Sequence, residues 1–241
     1  MSSTSESGHA KNVGNLKTLN EINAGFGLPY NPNNPLYKVV TMVAQHTACE
    51  ALQNAVNTQR GIFEPFQNAR VIENKDVKKL VRKVRTAAKT CGASDEFYID
   101  VNKFFVKILG ERISKATPTP EDPSGTSASQ QSYDNMVNNF GAMVGILAGE
   151  PLYAPNELPL KVVTLTAKHT AMDTANNNVK ANKPAFNNAI IARNKAFYTT
   201  KTGLVDVGQG SKDYVRQLFG YGTPEFRLVS PLKFRKLADV D

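Results

Sequence analysis

Apolar positions in this chain recur with the period of an α-helix. One stripe over residues 36–51 has the i, i+3, i+4 spacing of a helix face: Leu36, Val40, Val43, Thr47 and Ala51. A second stripe predicts a helix over 75–91: Val77, Leu80, Val81, Val84, Ala88 and Cys91. Leading helices are predicted over 15–24 and 132–148, and few segments alternate as a strand would. The pattern therefore predicts an all-α protein.

One eleven-residue phrase occurs twice in the chain. KVVTMVAQHTA begins at Lys38 and KVVTLTAKHTA begins at Lys161, which is 123 residues later. A tyrosine, a proline and an asparagine recur at the same offset: Tyr30, Pro32 and Asn33 match Tyr153, Pro155 and Asn156. This period is too long for the unit of a solenoid. It indicates an internal duplication, and so two homologous antiparallel helical bundles of three or four helices each.

The composition of the chain suggests where these bundles begin and end. The segment KATPTPEDPSGTSASQQ, residues 115–131, is rich in Pro, Ser and Thr and predicts a linker. We therefore predict a disordered tail over 1–12, one bundle over 13–114 and a second over 132–241. The part of the chain before the linker is called the first half below, and the part after it the second half. Gly61 and Pro184 occupy matching positions and predict a break or kink in each half.

Most of the chain past residue 25 resembles a family of uncharacterised bacterial proteins, on phrases that lie in the second half. The resemblance lies in the phrases LYAPNELPLKV, ARNKAFY, TGLVDV, KDYVRQLFG and TPEFRLVSPLKFRK. It implies a duplicated, helix-rich chain with a Pro/Thr-rich connection between its halves. The family has no established activity or catalytic residues, so the resemblance supports the fold and implies no site.

Charge and cysteine usage narrow the classes of partner and compartment. The net charge of +8 favours anionic partners. No stretch approaches the roughly 20 apolar residues of a membrane span, and the N-terminus has no apolar run like that of a signal peptide. Cys49 and Cys91 lie far apart in the sequence, which favours free thiols in a reducing compartment. We expect a cytoplasmic protein with no membrane contact and no cofactor.

The segment KDVKKLVRKVRTAAK is a candidate polyanion-binding helix over 75–89. Its cations surround the apolar stripe: Lys75, Lys78, Lys79, Arg82, Lys83, Arg85 and Lys89. They suit a contact with phosphates or an acidic protein surface. The alternative is the solvated outer face of a bundle helix, which we favour because the corresponding helix of the second half is nearly neutral.

The repeated phrase places a histidine on a largely apolar helix face in each half. Each histidine has a carboxylate four residues later: Glu50 after His46, and Asp173 after His169. This spacing lets an imidazole and a carboxylate meet on a helix. A metal site or a general base is one interpretation, but Met172 stands where Cys49 lies in the first half. We favour structural, hydrogen-bonded histidines and predict neither catalytic nor metal-binding residues.

Two smaller motifs are interpreted as structural. Tyr30 and Tyr153 each precede a capped helix start, where a tyrosine can pack its ring and bond through its hydroxyl. VGQGSK, residues 207–212, lacks the spacing of a phosphate-binding loop and predicts a turn or a weak helix start.

Taken together, the patterns favour a non-enzymatic structural or interaction protein. We expect it to associate with itself as a homo-oligomer or polymer, or to scaffold another protein, because two like units give one chain two similar faces. The alternative is a nucleic-acid- or polyanion-binding protein that uses the helix over 75–89. An enzyme or metal protein using His46 and His169 is a third hypothesis.

Overall fold

The computed structural model describes residues 8–110 and 131–237. Within these two ranges the regular elements are all helical and no strand occurs, which confirms the all-α prediction. The α-helices are α1 (His9–Gly25), α2 (Val39–Asn74), α3 (Val77–Thr90), α4 (Asp95–Leu109), α5 (Tyr133–Ala148), α6 (Val162–Tyr198), α7 (Leu204–Phe219) and α8 (Pro224–Val229). Short 3₁₀ turns, Pro35–Tyr37 and Leu158–Leu160, precede α2 and α6.

Helix α1 begins earlier than the sequence pattern indicates. It starts at His9, so residues 9–12 of the predicted tail are helical, and residues 1–7 lie outside the described ranges. The cause is tertiary, because the amide of Asn12 donates to the Arg235 carbonyl at 2.8 Å and accepts from the Arg235 N–H at 3.1 Å. The predicted linker, 115–131, lies outside the described ranges except for Gln131.

Two long helices replace the predicted breaks. Helix α2 has 36 residues and runs through Gly61, while α6 has 37 residues and runs through Pro184. The prediction of a break at these positions is therefore wrong, whereas a kink stays a prediction. A proline inside a helix removes one hydrogen bond but leaves the rest of the ladder in place.

The chain divides into two compact units that do not follow the order of the sequence. Unit 1 comprises residues 1–62 and 183–241, and unit 2 comprises residues 63–182. Each unit therefore takes helices from both halves, which differs from the predicted division into 13–114 and 132–241. Both long helices contribute to both units, since α2 passes from unit 1 to unit 2 after residue 62 and α6 passes back after residue 182.

The core of unit 1 joins α1 and α2 of the first half to α6, α7 and α8 of the second half. Its buried side chains come from all five helices: Val13, Leu16, Leu19, Met42, Cys49, Phe197, Leu204, Val207, Val215 and Val229. Two aromatic contacts connect the halves, because the rings of Phe26 and Phe219 lie 4.9 Å apart and those of Tyr30 and Tyr214 lie 5.3 Å apart.

The core of unit 2 joins α3 and α4 of the first half to α5 and α6 of the second half. Its largest fully buried side chains are Ile108, Phe140, Met143, Leu147, Leu165 and Met172. The α3 stripe predicted from the sequence lies in this core, with Val77, Val81 and Val84 fully buried. The guanidinium of Arg70 lies 4.2 Å from the ring centroid of Tyr133, so a cation–π contact also joins the halves.

The inward face of α2 is not the first stripe that its periodicity indicates. Val40, Val43, Thr47 and Ala51 are exposed, whereas Met42 and Cys49 are buried. The corresponding residues of α6, Leu165 and Met172, are also buried. The core therefore receives the helix face that carries His46 and His169. Both stripes have helical spacing, and only the neighbouring helices determine which one is buried.

Pro184 gives a direct test of the continuous long helix. Replacing Pro184 with Ala restores a backbone N–H that can donate to the carbonyl of Lys180. We expect Pro184→Ala to raise the free energy of unfolding by on the order of 1–3 kcal/mol, measured by urea denaturation. The control is Asn187→Ala at an exposed position of α6, which should change stability by about 0.5 kcal/mol. Destabilisation by Pro184→Ala would show that α6 depends on the proline geometry.

Candidate functional site

The exposed face of α3 is the most strongly charged surface that the sequence pattern indicated. Because Val77, Val81 and Val84 turn inward, the residues on the opposite side of the helix must face solvent. Five cations of the predicted group are exposed: Lys75, Lys79, Arg82, Lys83 and Lys89. We call these five residues the cationic face. Lys75 lies in the turn before α3, and the four cations within the helix extend about 15 Å along its axis, from Lys79 to Lys89, at 1.5 Å per residue.

The other two predicted cations serve the interior of unit 2. Lys78 Nζ donates to the Gln131 side-chain oxygen at 2.6 Å and to the Leu109 carbonyl at 3.4 Å. Arg85 Nε donates to the Tyr98 hydroxyl at 3.0 Å, and its guanidinium lies 4.4 Å from the centroid of the Phe105 ring. Both side chains are half-buried, so they are committed to holding α3 against its neighbours.

Little negative charge offsets the cationic face. Asp76 pairs with Lys79 at 3.3 Å, and both side chains are exposed to water, where such a pair contributes at most about 1 kcal/mol. Within the described ranges, Lys75, Arg82, Lys83 and Lys89 form no ion pair. A line of weakly compensated cations can attract phosphate or carboxylate groups over about a Debye length.

The corresponding helix of the second half has no such face. In α7 the Lys212 side chain is buried, and its Nζ donates to the carbonyls of Ser230 at 3.2 Å and Leu232 at 2.5 Å. Burial lowers the pKa of Lys212. Arg216 pairs with Asp213 at 3.3 Å. The cationic face is therefore a property of α3 alone among these two helices.

The histidine of the second half is seated against a helix backbone. A Cβ atom at Gly141 of α5 would lie 2.4 Å from His169 Nε2, so the imidazole occupies the space that a side chain would need. Asp173, four residues further on, accepts instead from the Asn177 amide at 3.1 Å. In the first half His46 is half-buried, and Glu50 is exposed.

The predicted imidazole–carboxylate contacts are not found. Across residues 8–110 and 131–237, neither histidine bonds to the carboxylate four residues later. The same ranges contain no group of three or more His, Cys, Asp or Glu side chains placed to hold a metal ion. Both histidines lie on the apolar helix faces that the sequence indicates, and neither bonds to the carboxylate that its spacing suggests.

The two repeated tyrosines make the same contact in each half. The Tyr30 hydroxyl donates to the carbonyl of Tyr37 at 2.8 Å, and the Tyr153 hydroxyl donates to the carbonyl of Leu160 at 3.1 Å. Burial raises the pKa of both phenols to about 12. Each tyrosine thus holds the 3₁₀ turn that leads into a long helix.

A buried polar cluster beside Tyr30 escaped the sequence analysis. Asn23 Nδ2 donates to Ser211 Oγ at 2.8 Å and to the Tyr30 hydroxyl at 3.1 Å, and the two hydroxyl oxygens lie 2.9 Å apart. The available signal was the set of asparagines at helical spacing on the apolar face of α1: Asn12, Asn15, Asn20 and Asn23. Ser211 itself gave no signal, because its partners lie more than 180 residues away.

The glycines of VGQGSK admit aromatic rings to the backbone of α7. The motif lies inside this helix, so its interpretation as a turn or weak helix start is wrong. A Cβ at Gly208 would lie 2.6 Å from the Phe234 ring, and a Cβ at Gly210 would lie 2.2 Å from the Tyr37 hydroxyl. Beside Gly210 is an open groove of about 610 Å³, bordered by Asn33, Tyr214 and other polar residues of unit 1.

Both cysteines are free thiols. Burial raises the pKa of Cys49 to about 11, so this thiol is protonated at neutral pH. Among the described helices, none combines the length and the apolar character needed to cross a membrane.

Comparison with known proteins found no match among family models, curated proteins or solved structures.

Gly141 offers a test of the structural role of His169. We expect Gly141→Ala to lower the free energy of unfolding by roughly 1–2 kcal/mol, since overpacking against the imidazole exceeds the gain in helix propensity. Gly145→Ala is the matched control in the same helix, because no atom lies within 4 Å of its Cβ position. The control should gain up to about 1 kcal/mol in urea denaturation.

A double-mutant cycle isolates the contact between the two residues. In a His169→Ala background, Gly141→Ala should behave like Gly145→Ala and stabilise α5. A stabilising Gly141→Ala in the wild-type background would contradict the seating of His169 on this helix.

Proposed function

We propose that the protein is a non-enzymatic structural or interaction protein that associates with itself or scaffolds a partner. The observation that carries this proposal is the joint construction of both units. Each core requires apolar side chains from the first and the second half, so neither half contains a complete core. The two halves of the chain therefore present complementary surfaces to each other. This complementarity supports the proposal that such surfaces also associate between molecules.

Exposed apolar side chains at matching positions support the scaffolding part of the proposal. Val40 in the first turn of α2 is 75% exposed, and Val163 in the first turn of α6 is 72% exposed. The loops before the two 3₁₀ turns also expose Leu28 at 97% and Leu152 at 56%, although these two leucines do not hold matching positions. Single exposed apolar residues are common, but the matching valines of the two units give a partner protein two similar points of contact.

We also propose that the halves arose by duplication of one helical unit. The support is that a tyrosine, a 3₁₀ turn and a long helix follow one another in both halves at one offset, with the same tyrosine hydroxyl contact. Duplication would supply two related but unequal surfaces, which favours association between different parts of the molecule.

Self-association predicts a mass above that of the 26.3 kDa chain. We expect size-exclusion chromatography with light scattering to detect dimers or larger species after refolding at about 0.5 mM, the range in which intermolecular contacts compete with a tether. These species should persist at high salt, because apolar contacts are not screened. A monomer at every concentration and salt level would contradict self-association.

The cationic face favours a second candidate function, the binding of a nucleic acid or another polyanion. Four exposed cations of α3, with Lys75 in the turn before it, can contact phosphates, and the contact is independent of base sequence. Because Lys78 and Arg85 bond within unit 2, they are left out of this site. The affinity for a DNA duplex should fall with a log–log salt slope of about −4, as expected for four to five phosphate contacts.

A charge-matched pair of variants tests this candidate. We expect Lys79→Glu/Arg82→Glu/Lys83→Glu to weaken binding to a labelled duplex of about 20 base pairs by more than tenfold, measured by fluorescence anisotropy. The control is Lys103→Glu/Lys161→Glu/Lys195→Glu, which changes the net charge equally at exposed positions outside the cationic face. Equal losses in both variants would show that net charge, and not this face, attracts the duplex.

A further inference from the structure

We infer that a second copy of this chain binds by exchanging halves, so that the first half of each molecule completes its two units with the second half of the other. This inference rests on the self-association proposed above and names its mode. Unit 1 and unit 2 would each keep all of their contacts in the exchanged dimer. We call one first half packed against one second half an assembly. In the monomer the linker connects the two halves of one assembly, and in the exchanged dimer each linker connects two assemblies.

Contacts between the halves build both units. In unit 1 the second half docks on α1 through Asn15 Nδ2, which donates to the Lys233 carbonyl at 2.8 Å, and through the Asn23–Ser211 bond. The apolar core beneath these bonds also combines the two halves. In unit 2, α4 of the first half packs against α5 of the second half, with Phe105 and Phe140 in one core.

Polar contacts make the pairing of halves specific. Buried hydrogen bonds that pair a group on one half with a group on the other are costly to leave unmade. The bond between Asn23 and Ser211 of α7 is buried, and Lys168 of α6 forms a half-buried pair with Glu73 of α2 at 2.5 Å. These pairs favour a first half combined with a second half over two identical halves. They do not distinguish between halves of one chain and halves of two chains.

The connection between the halves is longer than the folded chain requires. The ends of the connection meet, because Gln131 Nε2 donates to the carbonyls of Lys107 at 3.1 Å and Ile108 at 3.3 Å. Twenty residues, 111–130, join these neighbouring ends, although only a few would be needed. Fully extended, twenty residues span at most roughly 70 Å, so their length permits a connection to a neighbouring molecule. Domain exchange is a route to dimers that needs no new surface.

The protein concentration during folding determines whether the closed monomer or the exchanged dimer forms. A tether of this length gives the second half an effective concentration in the millimolar range, so folding in dilute solution favours the closed monomer. Refolding near that concentration should favour exchange. Separation of exchanged molecules requires both units to open, so we expect the dimer to persist after dilution, whereas a dimer of docked surfaces would dissociate.

Cleavage of the linker distinguishes exchange from surface docking. A protease recognition sequence is inserted between Ser124 and Gly125 of the full chain, and the protein is refolded at about 0.5 mM, near the effective concentration of the tether. In an exchanged dimer only the two linkers join the assemblies. We therefore expect light scattering to show that cleavage halves the mass of the isolated dimer, which gives assemblies of one first half and one second half at about the mass of the 26.3 kDa chain.

Two control proteins accompany this experiment. The same recognition sequence inserted between Ser5 and Glu6 is cleaved without separating the halves, and its dimer should keep its mass. The variant Val40→Gln/Val163→Gln removes the matching exposed apolar side chains, and it should form the same dimer as the wild type under exchange.

Each remaining outcome overturns the inference in a recognisable way. A dimer that keeps its mass after linker cleavage associates through its surface, so exchange is wrong while self-association stands. Separation of the cleaved monomer into free halves would show that contacts between the halves do not hold the units together. The absence of any dimer after concentrated refolding would overturn exchange and self-association together.

Discussion

The fold depends on the burial of two apolar cores that no continuous half of the chain can complete. A helix does not fold back on itself, so the apolar side chains near the start of α6, Leu165 and Met172, and the one near its end, Phe197, are buried in different cores. Each long helix therefore contributes one segment to unit 1 and another to unit 2, and each unit closes only when segments from both halves meet. Hydrophobic burial, the largest favourable contribution to folding, is here an association between halves.

Polar contacts give this association its specificity. The side-chain amides of Asn12 and Asn15 in α1 donate to backbone carbonyls of the segment that follows α8. The side-chain amide of Asn23 donates to the hydroxyl of Ser211 in α7. Glycines act in the same direction by removing obstacles. An imidazole lies against Gly141 and a phenol lies against Gly210, each closer than a Cβ atom at the glycine would allow. These features determine which helix faces can approach one another closely, and the apolar residues supply most of the free energy.

The cationic face has a different relation to the fold. Its four cations within α3 lie opposite the buried valines, so the amphipathic pattern that places the helix also presents the charge. Lys78 and Arg85 show how burial changes the role of a basic residue within one helix. Their cationic groups bond to carbonyl, amide and phenol groups of neighbouring elements and so stabilise unit 2.

The sequence by itself determined the helical class, most of the helix positions and the outward direction of most α3 cations, because these follow from local periodicity and from the residues at helix ends. Ser94, Ser132 and Thr223 cap their helices through contacts within three residues. Only the tertiary structure decided which stripe of α2 is buried, that both long helices pass Gly61 and Pro184 unbroken, and that each unit combines both halves. Two stripes with equal helical spacing are indistinguishable in sequence, and the choice between them depends on packing against other elements, namely α1 and helices more than a hundred residues away.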